Sequence, residues 1–154
     1  LGDDKAIALR DLLADFDRSE PVVVFCRFRH DLDRIAEIAA QTGCRYGELS
    51  GRRHDLTSHA QMPEDVDLMG VQYQSGGVGI DLTRSRYAVY YSATWSLAEY
   101  EQSIARLNRP GQTRSVSCYH LAAAGTIDER IAEAVEAKRE IIDDVLARMK
   151  EAVG

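Results

Sequence analysis

The chain is predicted to fold as an α/β domain, with a mainly parallel central sheet covered by helices on both faces. Three observations carry that expectation. Runs of β-branched and aromatic residues alternate with amphipathic segments of helical period, the leading strand run is apolar at consecutive positions, and glycine-rich or charged loops follow the strands.

The elements follow in order. Residues 4–17 set Ile7, Leu9, Leu12, Leu13 and Phe16 among charges, which predicts a leading amphipathic helix within residues 1–20. Pro21 opens Val22, Val23, Val24 and Phe25, a run that reads as a strand buried on both faces. Asp31 is placed to cap a second helix with Leu32, Ile35, Ile38 and Ala39 on its inner side, and Gly43 stops it. A short strand over Arg45–Leu49 ends at Gly51, and the polar residues 51–65 lack a period and read as loop. Val66–Val71 is a strand that leads into the glycine-rich Ser75–Gly79. Tyr87–Tyr91 is a further strand, residues 97–109 are helical until Pro110 and Gly111, and Val116–Leu121 is the last strand. Thr126 with Glu129 three residues on makes a capping box. Ile127, Ile131, Val135, Ile142, Val145 and Met149 then mark a long helix over residues 126–154.

At 154 residues the chain suits one domain, residues 1–154, and its 45% apolar and 29% charged composition excludes a disordered or collagen-like polymer. The longest strongly apolar run, Pro21–Cys26, is far short of the roughly 20 residues that cross a bilayer. No signal peptide opens it, so a soluble cytoplasmic protein without a membrane partner is expected, and Leu1 in place of Met points to a piece of something longer. Cys26, Cys44 and Cys118 form no CxxC and have no histidine at ligand spacing, which argues against a disulfide framework or a metal site. Cys26 and Cys118 lie in apolar runs and are expected to be buried. The net charge of −6 argues against a nucleic-acid surface until its distribution is read. Residues 1–20 hold 3 bases and 6 acids, residues 126–154 hold 5 and 8, and residues 21–125 hold 11 of each.

In parallel α/β folds, ligands sit beyond the C-terminal ends of the strands. Those ends are Cys26–His30, Ser50–Arg53, Gln72–Gly79 and Ser92–Ser96. The helix EYEQSIARLNR, residues 99–109, is the most informative segment. At about 100° per residue, Gln102, Arg106 and Arg109 share one polar stripe opposite Tyr100, Ile104 and Leu107, so both arginines are expected to point outward. Neither has an acid three or four residues further on in the helix, and two forked cations suit an anion with several oxygens, such as a triphosphate. In SGGVGIDL, residues 75–82, Gly76, Gly77 and Gly79 allow backbone N–H groups to approach a phosphate, and Asp81 is placed to accept from a ribose hydroxyl. The chain has no GxxxxGK[ST] run, and Leu82 stands where a dinucleotide GxGxxG needs its third glycine.

Together these segments resemble the second, C-terminal RecA-like lobe of superfamily-two helicases, in the Swi/Snf-like branch of DNA translocases. The resemblance runs from about Pro21 to Glu136. PVVVFCRF resembles motif IV, CRYGELSG the strand and loop that follow, and SGGVGIDLT motif V. YYSATWSLAEYEQSIARLNRPGQ is similar to the run through a Trp-containing strand exit into motif VI, of pattern QxxxRxxRxGQ, and VSCYHLAAAGTIDERI to the closing strand and capped helix. QYQSGGVGIDLTRSRYAVYYS is closest in wording to compact phage and prophage members. Tyr73 stands where the family has a small hydroxyl residue, and Ala105 and Asn108 replace polar residues of motif VI. The stretch 51–65 is also shorter than the family's loop plus helix.

The resemblance implies a three-layer αβα RecA-like fold and a set of roles. Arg106 and Arg109 would be arginine fingers for the γ-phosphate of ATP, which with Mg2+ would be held by an N-terminal RecA-like lobe. Gln102, Gly79 and Asp81 would face the nucleotide. Arg27, Arg29, Arg52, Arg53, Gln74 and Ser75 would meet the phosphates of duplex DNA, and Trp95 would lie beside the tracked strand. Two other readings stay open: a stand-alone nucleotide-binding module that uses the glycine loop, and a protein-interaction domain that docks through its acidic terminal helix.

Overall fold

The computed structural model describes residues 2–75, 79–108, 115–121 and 139–150. Helix α1 (Gly2–Asp15) precedes strand β1 (Val22–Cys26), helix α2 (Arg29–Thr42), strands β2 (Tyr46–Leu49), β3 (Leu68–Gln72) and β4 (Tyr87–Tyr90), helix α3 (Leu97–Leu107) and strand β5 (Ser117–His120). The five strands form one sheet in the order β2-β3-β1-β4-β5, and every pairing is parallel. The fold is the α/β class expected, and the elements predicted up to Leu121 are found with their ends shifted by a few residues. Residues 51–65 hold no helix, only isolated bridges from His54 to Leu49 and from Gln61 to Asp81.

β1 is the centre of the sheet because it is apolar at all five positions and buried on both faces. Val22, Val24 and Cys26 pack with α1 and α2 through Leu9, Leu13, Leu32, Ile35 and Ile38. Val23 and Phe25 face the opposite layer, where Leu107 of α3, Met62, Ile80 and Leu82 cover them. Helices therefore lie on both faces. Phe16, just past α1, stacks flat on Tyr87 with ring centroids 3.9 Å apart, which ties the leading helix to the far side of β1.

Glycines set two of the close contacts. Gly43 ends α2 with φ 76°, so the Cys44 amide can reach back to the Ala39 carbonyl at 2.8 Å. Gly70 of β3 lies under α2, where an added Cβ would come within 2.7 Å of the Tyr46 hydroxyl and 3.2 Å of Leu32.

The structure corrects two expectations here. Asp31 is not the residue that opens α2. The helix begins at Arg29, and Asp31 caps it from inside the first turn by accepting the Phe28 N–H at 3.3 Å. Cys118 is exposed among the described residues because β5 is the outer strand of the sheet, while Cys26 is buried as expected. Of the long C-terminal helix, residues 139–150 are helical, and the capping box at Thr126 lies outside the described residues. Among the described residues no helix is long and apolar enough to cross a membrane.

Gly70→Ala should destabilise the fold by about 2 kcal/mol, because Tyr46 is held in place by its hydrogen bond to the buried Glu48 and overpacking there relaxes poorly. Urea denaturation reads the change, and an unaltered midpoint would show that the contact between α2 and the sheet is looser than described.

Candidate functional site

The C-terminal ends of β1, β3 and β4 converge on the peptide that follows β1. Past Cys26 the chain leaves the sheet and the Arg27 peptide loses its ladder partners, so side chains replace them. Ser92, just beyond β4, accepts the Arg27 N–H on Oγ at 2.7 Å and donates its own proton to Asp31 Oδ2 at 2.8 Å. Gln72, at the end of β3, donates Nε2–H to the Arg27 carbonyl at 3.3 Å. Tyr73 is buried and donates its hydroxyl to the Ser92 carbonyl at 2.7 Å, so the residue that departs from motif V is a strut inside the lobe. Ser92, Asp31 and Gln72 were not singled out as site residues. An acid five positions past a strand's last residue, and polar residues at the ends of neighbouring strands, are the signals that mark them.

This clamp presents a cationic aromatic edge. Arg27 and Arg29 are exposed, and among the described residues neither is in an ion pair. The Arg27 guanidinium lies 4.9 Å from the centre of the Phe28 ring, and Phe28 stacks on His30 at 5.1 Å. Phe28 and Trp95 are both 42% exposed, unusual for rings of that size.

The loop after β2 divides the other two arginines by role. Glu48 of β2 is fully buried and accepts hydrogen bonds from Arg52, Tyr46 and Ser50, at 2.8, 2.7 and 2.8 Å. Burial pushes the Glu48 carboxyl up, but these three donors outweigh it and hold it at about 2 against an ordinary 4.5. Arg52 also bridges Asp33 of α2 at 2.7 Å, so it is committed to the lobe's own structure; Arg53 pairs with Asp55 and stays partly exposed. Arg52, expected to meet phosphate, is thus engaged by two carboxylates while remaining at the surface.

The largest correction concerns α3. Arg106 does not point outward; it is 5% exposed and donates Nη2–H to the Ser75 carbonyl at 3.0 Å. The buried arc of the helix runs through Arg106, Ser103 and Leu107, while Tyr100 and Ile104 are only half-buried. Burial pulls the Arg106 pKa below its ordinary value, a desolvation cost that the carbonyl offsets. Its main-chain oxygen accepts the Leu82 N–H at 2.9 Å, so α3 grips both flanks of the segment that holds the glycine loop.

The remaining expected site residues are distributed around this edge. Ser75 is buried, Gln74 exposed and Gln102 half-buried at the margin of α3. Gly79 is exposed and has φ 84°, so glycine serves its backbone conformation there. Asp81 accepts the amide and hydroxyl of Thr83 on Oδ1 at 2.9 and 2.6 Å, a turn that already engages the carboxylate assigned to a ribose. Gly76, Gly77 and Arg109 lie outside the described residues. The one arginine of α3, Arg106, is engaged by the Ser75 carbonyl, and among the described residues no group of three His, Cys, Asp or Glu is placed to hold a metal ion.

Because Glu48 titrates lower when folded than when unfolded, it contributes stability that is complete above about pH 4.5 and is lost as the pH falls towards 2. The urea midpoint should drop over that interval. Arg52→Ala should lower the urea midpoint at neutral pH by leaving the buried carboxylate without its cation, and should make the acid loss shallower. A variant as stable as the parent would rule out that strut.

The chain is similar to several known proteins. A family model described as the helicase conserved C-terminal domain matches residues 4–111. The chain is 31% identical over 143 residues to the chromatin-remodeling ATPase INO80 of Cryptococcus neoformans var. neoformans serotype D, covering 90% of this chain and 8% of that protein. It is 29% identical over 125 residues to INO80 of Mus musculus, covering 78% and 8%. An uncharacterized ATP-dependent helicase of Mycoplasma pneumoniae is 24% identical over 147 residues, covering 92% and 14%. The chain thus spans a small fraction of these relatives. The crystal structure of the C-terminal part of the Fun30 ATPase domain has the same fold, with a TM-score of 0.71 at 22% identity over 85% of this chain and 44% of that one.

Proposed function

The chain belongs to the helicase conserved C-terminal domain family, and we propose from that premise that it is the second RecA-like lobe of a Swi/Snf-like, ATP-dependent and DNA-stimulated translocase. In this reading it completes an ATP site shared with an N-terminal RecA-like lobe and supplies half of a duplex-DNA track. The observation that carries it is the exposed Arg27 and Arg29 with Phe28 past the end of β1, at the same end of the sheet as the exposed Trp95 past β4. The parent is read as cytoplasmic, and the wording of residues 72–92 favours a compact phage or prophage type.

The residues divide the work as follows. Arg27 and Arg29 face the phosphates of the track with unspent charge, joined by Arg53 and the amide of Gln74, while Trp95 and Phe28 lie against the sugar and base edge. Arg109, at the end of motif VI, is the arginine finger. Arg106 keeps the segment around Ser75 in register with α3 and so holds Gly79 and Gln102 toward the nucleotide. ATP with Mg2+, held mainly by the companion lobe, supplies the free energy of phosphoryl transfer. This chain contains no P-loop lysine to hold a β-phosphate, so it does not hydrolyse ATP by itself.

Two outcomes test the reading. The isolated chain should release no phosphate from ATP above a no-protein control, and steady release from clean protein would refute the half-site. In the two-lobe parent, Arg109→Ala should lower DNA-stimulated turnover by about 10³-fold while nucleotide affinity stays within about threefold. Near-normal turnover would remove Arg109 from the finger role.

A further inference from the structure

The two loops that carry the candidate track arginines follow β1 and β2, and one side chain touches both. Gln72 donates Nε2–H to the Arg27 carbonyl at 3.3 Å and accepts the Gly51 N–H on Oε1 at 3.4 Å. The sheet order explains why this position can do so: β3 lies between β2 and β1, and Gln72 is its last residue. Bridging a carbonyl on one side and an N–H on the other needs a donor and an acceptor on one carbon. The glutamine amide has that arrangement, whereas a carboxylate or an aliphatic side chain lacks one or both.

The main chain of Gln72 runs the other way, toward α3. Its carbonyl accepts the Ser75 N–H at 3.0 Å, and the Ser75 carbonyl accepts Arg106 Nη2–H at 3.0 Å. The Arg27 loop is thereby joined to the guanidinium on α3 by an unbroken run of hydrogen bonds and three residues of backbone. Both side-chain bonds of Gln72 are long and lie at the solvent edge, so they contribute little to global stability. They act on where the two loops sit relative to each other.

We infer that Gln72 is a positioning residue: it fixes the spacing of the Arg27 and Arg53 loops as one phosphate track and couples that spacing to motif VI through Ser75. The inference rests on the translocase reading for its functional consequence, and on the two hydrogen bonds alone for its structural one.

Gln72→Met, similar in length and without either hydrogen bond, separates the two in the two-lobe parent. The DNA concentration for half-maximal ATP hydrolysis should rise about tenfold while turnover at saturating DNA stays within about twofold. The melting temperature should shift by no more than about 2 °C, and the Gly51 amide should exchange its hydrogen faster. An unchanged half-maximal DNA concentration, or a loss of turnover that tracks a lowered melting temperature, overturns the positioning role. If DNA fails to stimulate the unaltered parent, the track reading fails. Exchange at Gly51 in the same variant then decides the structural claim, and an unaltered rate overturns it.

Discussion

The peptide after β1 is the constraint on which the edge of this lobe depends. A central parallel strand has its backbone satisfied on both sides, and where it leaves the sheet the next N–H and C=O must find partners or be paid for in desolvation. Ser92 provides one for the part-buried N–H, and Gln72 reaches the C=O at the solvent edge, where water can also serve it. The same atoms that meet this requirement also aim Arg27 and Phe28 outward and start α2 at Arg29, with Asp31 turned inward to receive both Ser92 and the Phe28 amide. A functional edge and a correctly terminated strand are here one arrangement.

A second constraint governs charge. The fully buried Glu48 must be compensated, and Arg52 does so while reaching Asp33 on α2, which joins the loop after β2 to a helix on the sheet's face. That use neutralises one surface cation, while Arg53 pairs with Asp55 and, among the described residues, Arg27 and Arg29 are in no ion pair. The net −6 of the chain does not oppose this, because the acidic excess belongs to residues 1–20 and 126–154. In the neutral middle, residues 27–53 carry 6 bases to 4 acids, and the structure decides which of those bases face solvent.

Much of the fold was legible residue by residue. Val22–Phe25 could only be a strand buried on both faces, Gly43 stopped α2, and the period of Leu32, Ile35, Ile38 and Ala39 named its inner side correctly. The reading of α3 failed because a helical wheel ranks faces by hydrophobicity. Ser103 and Arg106 are nonetheless buried, Ser103 against the Tyr90 hydroxyl and Arg106 against the Ser75 carbonyl, which accepts its Nη2–H. Cys118 failed for the converse reason: an apolar run at an outer strand is not covered merely because it is apolar.

The sequence alone determined the alternation of elements, the parallel sheet and the placing of candidate ligand contacts at strand ends, because period, β-branching and glycine act locally. Which strand lies between which others is not a local property. That order put Gln72 between two loops, Ser92 against Asp31, and Arg106 under Ser75. Each of those contacts joins residues well apart in the chain, so only the packed sheet could decide which polar side chains serve the lobe's own backbone and which are left facing outward.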